Sequence, residues 1–366
     1  MSNATVFSPT PTANGSPLLR VSELRKHFPQ RGGMWGRGGG VVKAVDGVSF
    51  DVYEGETLGL VGESGSGKST TGRLILRLLE PTSGECRFRG QDVFRATKPE
   101  LRALRREMQI VFQDPYGAFN PRMTISRIIG EGLELRGIRS PRERDAEVAR
   151  LLELVQLPPA VRSRYPHEFS GGQRQRLGIA RALGVQPRFL VADEPVSALD
   201  VSTQAEVVNL LLDLQERLKL TMLFISHDLS VVRVMSDRVA VMFAGKILEL
   251  AHTEALFKNP LQPYTQELLQ AIPVPDPERA RRGLRTSPEE AAAADAQRGP
   301  SGEGCPFASR CPHVMEICRQ QMPPLVDFAP RLGESHPHFA ACHWVEQDTA
   351  RAAEVGHATR AAGSAN

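Results

Sequence analysis

Residues 62–70 read GESGSGKST, which has the spacing G-x-x-x-x-G-K-[ST]. That spacing makes a phosphate-binding loop. Gly62, Gly65 and Gly67 let backbone N–H groups curl around the phosphates of a nucleotide, where a side chain would block the approach. Ser64 and Ser66 stand between these glycines in the same loop. Lys68 adds a positive charge near the β- and γ-phosphates. The hydroxyl of Ser69 is placed to ligate Mg²⁺, with Thr70 beside it. The ligand implied is a nucleoside triphosphate with its metal.

Further residues could act on such a ligand. Asp193 and Glu194 end the apolar run FLVADEP at 189–195. A carboxylate at the end of a buried strand can hold Mg²⁺ through water. In an extended chain the next side chain points elsewhere, so Glu194 can face the γ-phosphate while Asp193 faces the metal. His227 follows a second apolar run at 221–225. Ser170, Gly171 and Gly172 precede a helical stretch that begins at Gln173 and ends near Leu183. A serine N-cap and two glycines expose N–H groups and the positive end of the helix dipole, which makes an anion site.

Phosphoryl transfer to water depends on positioning and charge neutralisation more than on covalent chemistry. The elements that hold these residues therefore matter. The apolar run 57–61 precedes the phosphate loop, and 70–79 has helical character. Val111 and Phe112 lead as a buried strand into Gln113. Residues 189–192 and 221–225 read as strands buried on both faces. Residues 98–110 and 204–218 are helix-prone, and 121–184 is mostly helical. Val148, Leu151, Leu152 and Val155 repeat on one helical face. Strands alternating with helices behind a phosphate loop predict a parallel α/β core.

The chain has 366 residues, long enough for about two domains. With 45 basic and 42 acidic residues, its charge implies no nucleic-acid partner. The basic cluster Arg102, Arg105, Arg106 reads as a solvated helix face. No apolar run approaches the ~18–20 residues that span a bilayer, and the N-terminus has no signal-peptide pattern. A cytosolic chain is the expectation. Residues 1–17 and 347–366 are expected to be disordered, and 30–40 is a glycine-rich loop. A polar stretch at 279–304 reads as a linker.

Four of the five cysteines, Cys305, Cys311, Cys318 and Cys342, crowd the C-terminal end. In a cytosolic chain such a cluster reads as metal-binding before it reads as disulfides. Soft thiolates in a set of four suit a 4Fe–4S cluster or Zn²⁺. The gaps are not C-x-x-C pairs, which favours a cluster over zinc; a metal-free tail is the third reading. Nearby His313, His336, His338 and His343 are expected to be solvated or hydrogen-bonded rather than ligands. Cys86 is expected to be inert.

The order of motifs resembles the ATP-binding cassette family over roughly residues 20–345. Phe28 in LRKHF stands where the family has an aromatic that stacks on adenine. The phosphate loop follows, then QDPYGAFNP at 113–121, similar to the Q-loop. FSGGQRQR resembles the family signature, with Phe169 where leucine is commoner. FLVADEP resembles the Walker B strand, SALD at 197–200 the D-loop, and SHD at 226–228 the switch histidine. The resemblance implies a P-loop NTPase cassette: a RecA-like core, a β-rich N-terminal part and a helical subdomain at about 121–184, all within 18–258. A post-cassette segment at 259–304 and a small Cys-rich domain at 305–346 would follow.

By the same resemblance, Glu194 polarises the attacking water, His227 bonds the γ-phosphate, and Gln113 contacts Mg²⁺ and water. Ser170, Gly171, Gly172 and Gln173 would grip a nucleotide bound to another subunit, with Asp200 at that interface. ATP and Mg²⁺ are the implied ligands.

QDPYGAFNPRMTI, NPLQPYTQELLQAIP and the segment GCPFASRCPHVMEICRQQMPPL with AACHWVE are similar to the peptide/nickel importer branch. The match departs from the usual P-x-G-C, because Glu303 and Gly304 separate Gly302 from Cys305. The branch implies an ATPase subunit of a bacterial di- or oligopeptide importer, peripheral on the cytoplasmic face of the membrane. Its partners would be a distinct second ATPase subunit, two permeases and an extracytoplasmic peptide-binding protein. A nickel or other-solute importer is the nearer alternative. A soluble cassette protein outside transport is the more distant one.

Overall fold

The computed structural model describes residues 15–29, 40–272 and 304–347. Most of the predicted disordered ends, the glycine-rich loop at 30–39 and the linker up to residue 303 lie outside them.

Twelve strands form two sheets among the described residues. Strands β1 (Leu19–Pro29), β2 (Val41–Val52), β4 (Ser83–Phe88) and β5 (Gln91–Asp92) form an antiparallel sheet in the order β2-β1-β4-β5. The larger sheet contains β3 (Thr57–Val61), β6 (Met108–Val111), β7 (Phe189–Asp193), β8 (Thr221–Ser226), β9 (Arg238–Phe243), β10 (Lys246–His252), β11 (Val326–Asp327) and β12 (His338–Ala340). Its order is β11-β12-β10-β9-β3-β8-β7-β6. From β9 to β6 all neighbours are parallel; the other pairs are antiparallel.

The apolar runs form strands because both faces are buried. In β8, Met222 and Phe224 enter one core while Leu223 and Ile225 enter the other. In β7, Leu190 and Ala192 pair with the first core, Phe189 and Val191 with the second. A period of two with both sets apolar is what a covered parallel sheet requires. One core carries the helical block; the other lies against the antiparallel sheet.

The helical block is built from Ile125–Leu135, Pro141–Leu154 and Gly171–Leu183. Val148, Leu151, Leu152 and Val155 are fully buried, as their spacing predicts. Arg102 and Arg106 lie on an exposed face. Arg105 differs: its guanidinium donates to the carbonyls of Leu76 and Arg77, closing the end of the helix Lys68–Ile75.

The C-terminal segment joins the cassette's own sheet. Strand β12 adds to β10, and Phe307 and Ala308 share the core of the helical block. A buried charge group locks this junction. His338 Nε2 lies 2.7 Å from Glu249 Oε1, and its Nδ1 lies 3.0 Å from Glu334 Oε2. Glu249 also accepts from the N–H groups of Leu261 and Gln262. Burial alone would lower the His338 pKa, but the two carboxylates overcome it and raise it to about 9. Hydrogen bonding is thus the fate of His338, as expected, and His313 stacks on Trp344.

Candidate active site

Strands β3, β8, β7 and β6 are consecutive and parallel, so their C-terminal ends share one sheet edge. The phosphate loop follows β3, His227 follows β8, Glu194 follows β7 and Gln113 lies just past β6. Ligand sites in open α/β sheets collect at that edge.

The phosphate loop is cramped where it must be. Gly62 has φ 150° and Gly67 has φ 105°. A Cβ on Gly62 would lie 2.0 Å from the Met242 carbonyl oxygen, and one on Gly67 2.1 Å from that of Ala44. Ser64 and Gly65 are exposed, and Thr70 is half-buried. Lys68 Nζ donates to the Gly62 oxygen at 2.7 Å and the Glu63 oxygen at 2.8 Å, and lies 3.4 Å from Ser66 Oγ. Burial lowers the Lys68 pKa, and Glu194, Asp193 and Glu63 work against that. Phe28 is 37% exposed at the end of β1. It pairs with Val42, two residues from Ala44, whose carbonyl oxygen is the one Gly67 approaches.

The structure brings two groups of predicted residues together. Ser69 Oγ donates to Asp193 Oδ1 at 2.6 Å. Burial raises the Asp193 pKa, against the pull of Ser69 and Arg73. In the second group, Gln113 Nε2 donates to Glu194 Oε2 at 3.0 Å and to Ser197 Oγ at 3.2 Å. His227 Nδ1 lies 3.4 Å from the same Glu194 oxygen.

One expectation is corrected. Asp193 and Glu194 do not diverge by strand alternation. Glu194 has φ 47°, in the left-handed region, and its N–H donates to the Ile225 oxygen at 3.0 Å. That conformation costs a non-glycine residue about 1–2 kcal/mol. A turn held by the neighbouring strand therefore aims the carboxylate.

The signature residues stand on a separate element, the helix Gly171–Leu183. Ser170 caps it by accepting from Gln173 N–H at 3.3 Å, and Gln173 Oε1 accepts from Ser170 N–H at 3.1 Å. Ser170, Gly171 and Gln173 are exposed. Gly172 is buried, and a Cβ there would lie 2.1 Å from Thr203 Cγ2. This glycine is needed for packing against the helix Val201–Leu218. Asp200 caps that helix, and the Thr203 N–H with the hydroxyls of Ser202 and Thr203 holds its carboxyl at about 2.

Sequence reasoning missed three residues at the loop. Arg310, from the cysteine segment, and Tyr264, from the helix Pro263–Gln270, bond Glu63 within the phosphate loop, and Glu267 on that same helix pairs with Arg310. An arginine between two cysteines carries no motif that could have signalled it.

The four C-terminal cysteines line one small cavity with Phe307, His313 and Trp344. Cys305, Cys318 and Cys342 are buried and Cys311 half-buried. Burial pushes the Cys305 thiol up to about 11 and Cys342 to about 12. Among the described residues, however, no group of three or more His, Cys, Asp or Glu side chains is arranged to hold a metal ion. The predicted metal centre is thus not present as a convergent ligand set. Cys86 is fully buried, and burial raises its pKa, which makes it inert as expected.

Phosphate loop, paired carboxylates and sheet edge define a P-loop ATPase of the cassette type. The ABC transporter profile matches residues 45–197, and the profile of the oligopeptide/dipeptide transporter C-terminal region matches 248–318. The oligopeptide transport ATP-binding protein AppF of Bacillus subtilis is 49% identical over 334 residues, 90% of this chain and 98% of that protein. A putative peptide import ATP-binding protein of Brucella ovis is 51% identical over 332 residues, 89% of this chain and 98% of that one. The oligopeptide transport protein OppF of Bacillus subtilis is 55% identical over 272 residues, 73% of this chain and 86% of that one. The dimeric post-hydrolysis structure of the ATP-binding cassette MJ0796 with ADP and Pi superposes with a TM-score of 0.58 at 29% identity, over 64% of this chain and 98% of that one. The chain belongs to the ABC transporter family of ATP-binding proteins.

Proposed function

We propose that this chain is the ATP-hydrolysing subunit of an importer for di- or oligopeptides. One observation carries the reading: Gln113, Glu194 and His227 converge from three adjacent strand ends beside the phosphate loop. Relatives that match about nine-tenths of this chain are named for oligopeptide transport and for peptide import.

The residues take the following roles. Lys68 and the loop N–H groups hold the β- and γ-phosphates, and Phe28 stacks on adenine. Ser69, Asp193 and Gln113 are oxygen donors of the kind a hard cation takes. Mg²⁺ held there would neutralise charge on the phosphates. Glu194 takes a proton from the attacking water, a step worth typically ~10²–10⁴-fold. Gln113 and His227 fix the direction of its carboxylate. Ser170, Gly171 and Gln173 face outward, toward the nucleotide of a second, distinct ATPase subunit, with Asp200 beside that interface.

An apolar groove of about 200 Å³ lies beside Gln113, between sheet and helical block; Leu78, Ile110, Phe112 and Phe119 line it. It suits the docking of a permease. No helix among the described residues is long and apolar enough to cross a membrane. A pair of permeases and an extracytoplasmic peptide-binding protein would complete a transporter on whose cytoplasmic face this chain sits.

A 4Fe–4S cluster, ahead of Zn²⁺, is the group proposed for the four cysteines, because their spacing contains no C-x-x-C pair. The cavity that the four thiols line has a volume of about 10 Å³, room for about one water, so either group would require the thiols to move. Such a group would cross-link the tail.

The test is reconstitution of the chain with its permeases and partner ATPase in vesicles. ATP hydrolysis should rise on adding peptide with its binding protein, and labelled dipeptide should enter. Stimulation by nickel instead would reassign the solute. No response to any solute with an intact complex would overturn the transport reading.

A further inference from the structure

Glu63 is the second residue of the phosphate loop, at a position the loop spacing leaves open. It is held at both ends, by the helix Pro263–Gln270 and by the cysteine segment. Its backbone N–H donates to Tyr264 Oη at 2.9 Å. Its carboxylate receives a two-pronged pair from Arg310, with NH1 at 3.0 Å from Oε2 and NH2 at 2.9 Å from Oε1. Arg310 also pairs with Glu267. Its side chain is only 10% exposed, and its guanidinium lies 5.4 Å from the Phe307 ring centre and 5.7 Å from that of Phe243. Tyr264 is fully buried against the same two rings. The pairing is therefore built on a rigid apolar floor rather than on a solvated surface.

The same turn carries the cysteines. Arg310 N–H and Cys311 N–H both donate to the Phe307 oxygen, and Cys305 N–H donates to the Cys318 oxygen. Gly304 makes room for this, since a Cβ there would lie 2.6 Å from the Cys318 oxygen. The chain from Cys305 to Cys311 thus shows its thiols to the cavity and Arg310 to the phosphate loop.

We infer that Arg310 is a positioning residue for ATP binding, through which the cysteine segment sets the shape of the phosphate loop. It acts through Glu63. Lys68 Nζ bonds the Gly62 and Glu63 carbonyls, so a shift of Glu63 moves the oxygens that fix the lysine. Loss of Arg310 would also leave Glu63 and Glu267 as neighbouring negative charges at the mouth of the triphosphate site. The inference rests on the proposed nucleotide site and adds a determinant from outside the cassette motifs.

ATP affinity of the full chain, and KM and kcat of the assembled transporter, test it. Arg310→Ala should weaken ATP binding by about tenfold, the scale of one lost charge-assisted hydrogen bond. It should raise KM with kcat changed less than twofold. Arg310→Lys keeps the charge but loses the two-pronged geometry, and should recover part of the affinity. Glu63→Ala should weaken binding similarly, and the double variant should be no worse than the worse single one, because the two act as a unit. Tyr264→Phe removes one hydroxyl, keeps the packing and should show a smaller loss; it serves if Arg310→Ala does not fold. Lys68→Ala separates the two ideas. Lost binding in Lys68→Ala with normal affinity in Arg310→Ala and Tyr264→Phe would overturn this inference and leave the nucleotide site standing. Multiplying losses in the double variant would overturn it as well.

Discussion

His227 Nδ1 lies 3.4 Å from Glu194 Oε2, the oxygen that also accepts from Gln113 Nε2 at 3.0 Å. Three loops thus fix one carboxylate, and the left-handed turn at Glu194 leaves little freedom to its backbone. A base held this way loses its function, not its surroundings, when its charge is removed. Glu194→Gln should bind ATP normally and hydrolyse it at least ~10²-fold slower. Steady-state turnover of a transporter whose partner site is already disabled is the measurement. Near-normal turnover there would remove Glu194 from the base role.

The motif residues at the sheet edge were legible because the segments that carry them follow buried strands directly, and buried strands are apolar runs that the sequence displays. The phosphate loop, Asp193, Glu194 and His227 all share that frame. Other features lacked a local signal. The turn at Glu194 depends on a bond to Ile225 on the next strand. The packing role of Gly172 depends on Thr203, on a different helix. Arg310 reaches Glu63 across 247 residues, and no window of sequence contains both. The tail reads as separate by composition, yet β12 and β11 extend the cassette's sheet, and the buried pair of His338 with Glu249 sits at that junction.

That junction should be sensitive to pH. Glu249 and Glu334 face His338, with Lys258 acting on Glu334. The folded pKa of about 9 stands above the ordinary value of 6.5. The stabilisation is therefore complete below about pH 6.5 and fades as pH rises through about 9. Melting temperatures of wild type and His338→Gln should differ most at pH 6 and converge toward pH 10. A gap that stays constant across that range would show that the charge on His338 contributes nothing.

Gly172→Ala should separate the signature helix from its neighbour. The new methyl group would meet Thr203 Cγ2 at 2.1 Å, and the Thr203 hydroxyl bonded to Asp200 holds that side chain's rotamer. Overpacking of this kind costs about 1–3 kcal/mol. Thr203→Ser removes the offending methyl and keeps the hydroxyl that bonds Asp200 at 3.0 Å. The next atom, Thr203 Cβ, would then lie at 3.6 Å, an ordinary contact. The double variant should recover most of the lost stability in a thermal melt. No recovery would mean the glycine serves another purpose.

The cysteines allow a clean decision between three compositions. Cys305, Cys311, Cys318 and Cys342 share one cavity floored by Phe307. Protein prepared without oxygen should contain iron with acid-labile sulfide if a cluster bridges them, zinc alone if one ion draws the thiols together, and neither if the cavity is a plain apolar contact. The cluster is the expected result, because four cysteines without C-x-x-C spacing line one cavity. Replacing any one of the four by serine should then release the metal and expose the tail to protease. The strand pairing of β12 with β10 does not involve these thiols, so the cassette should still bind nucleotide, though more weakly where Arg310 is disturbed. Intact metal content in all four serine variants would rule out a shared centre.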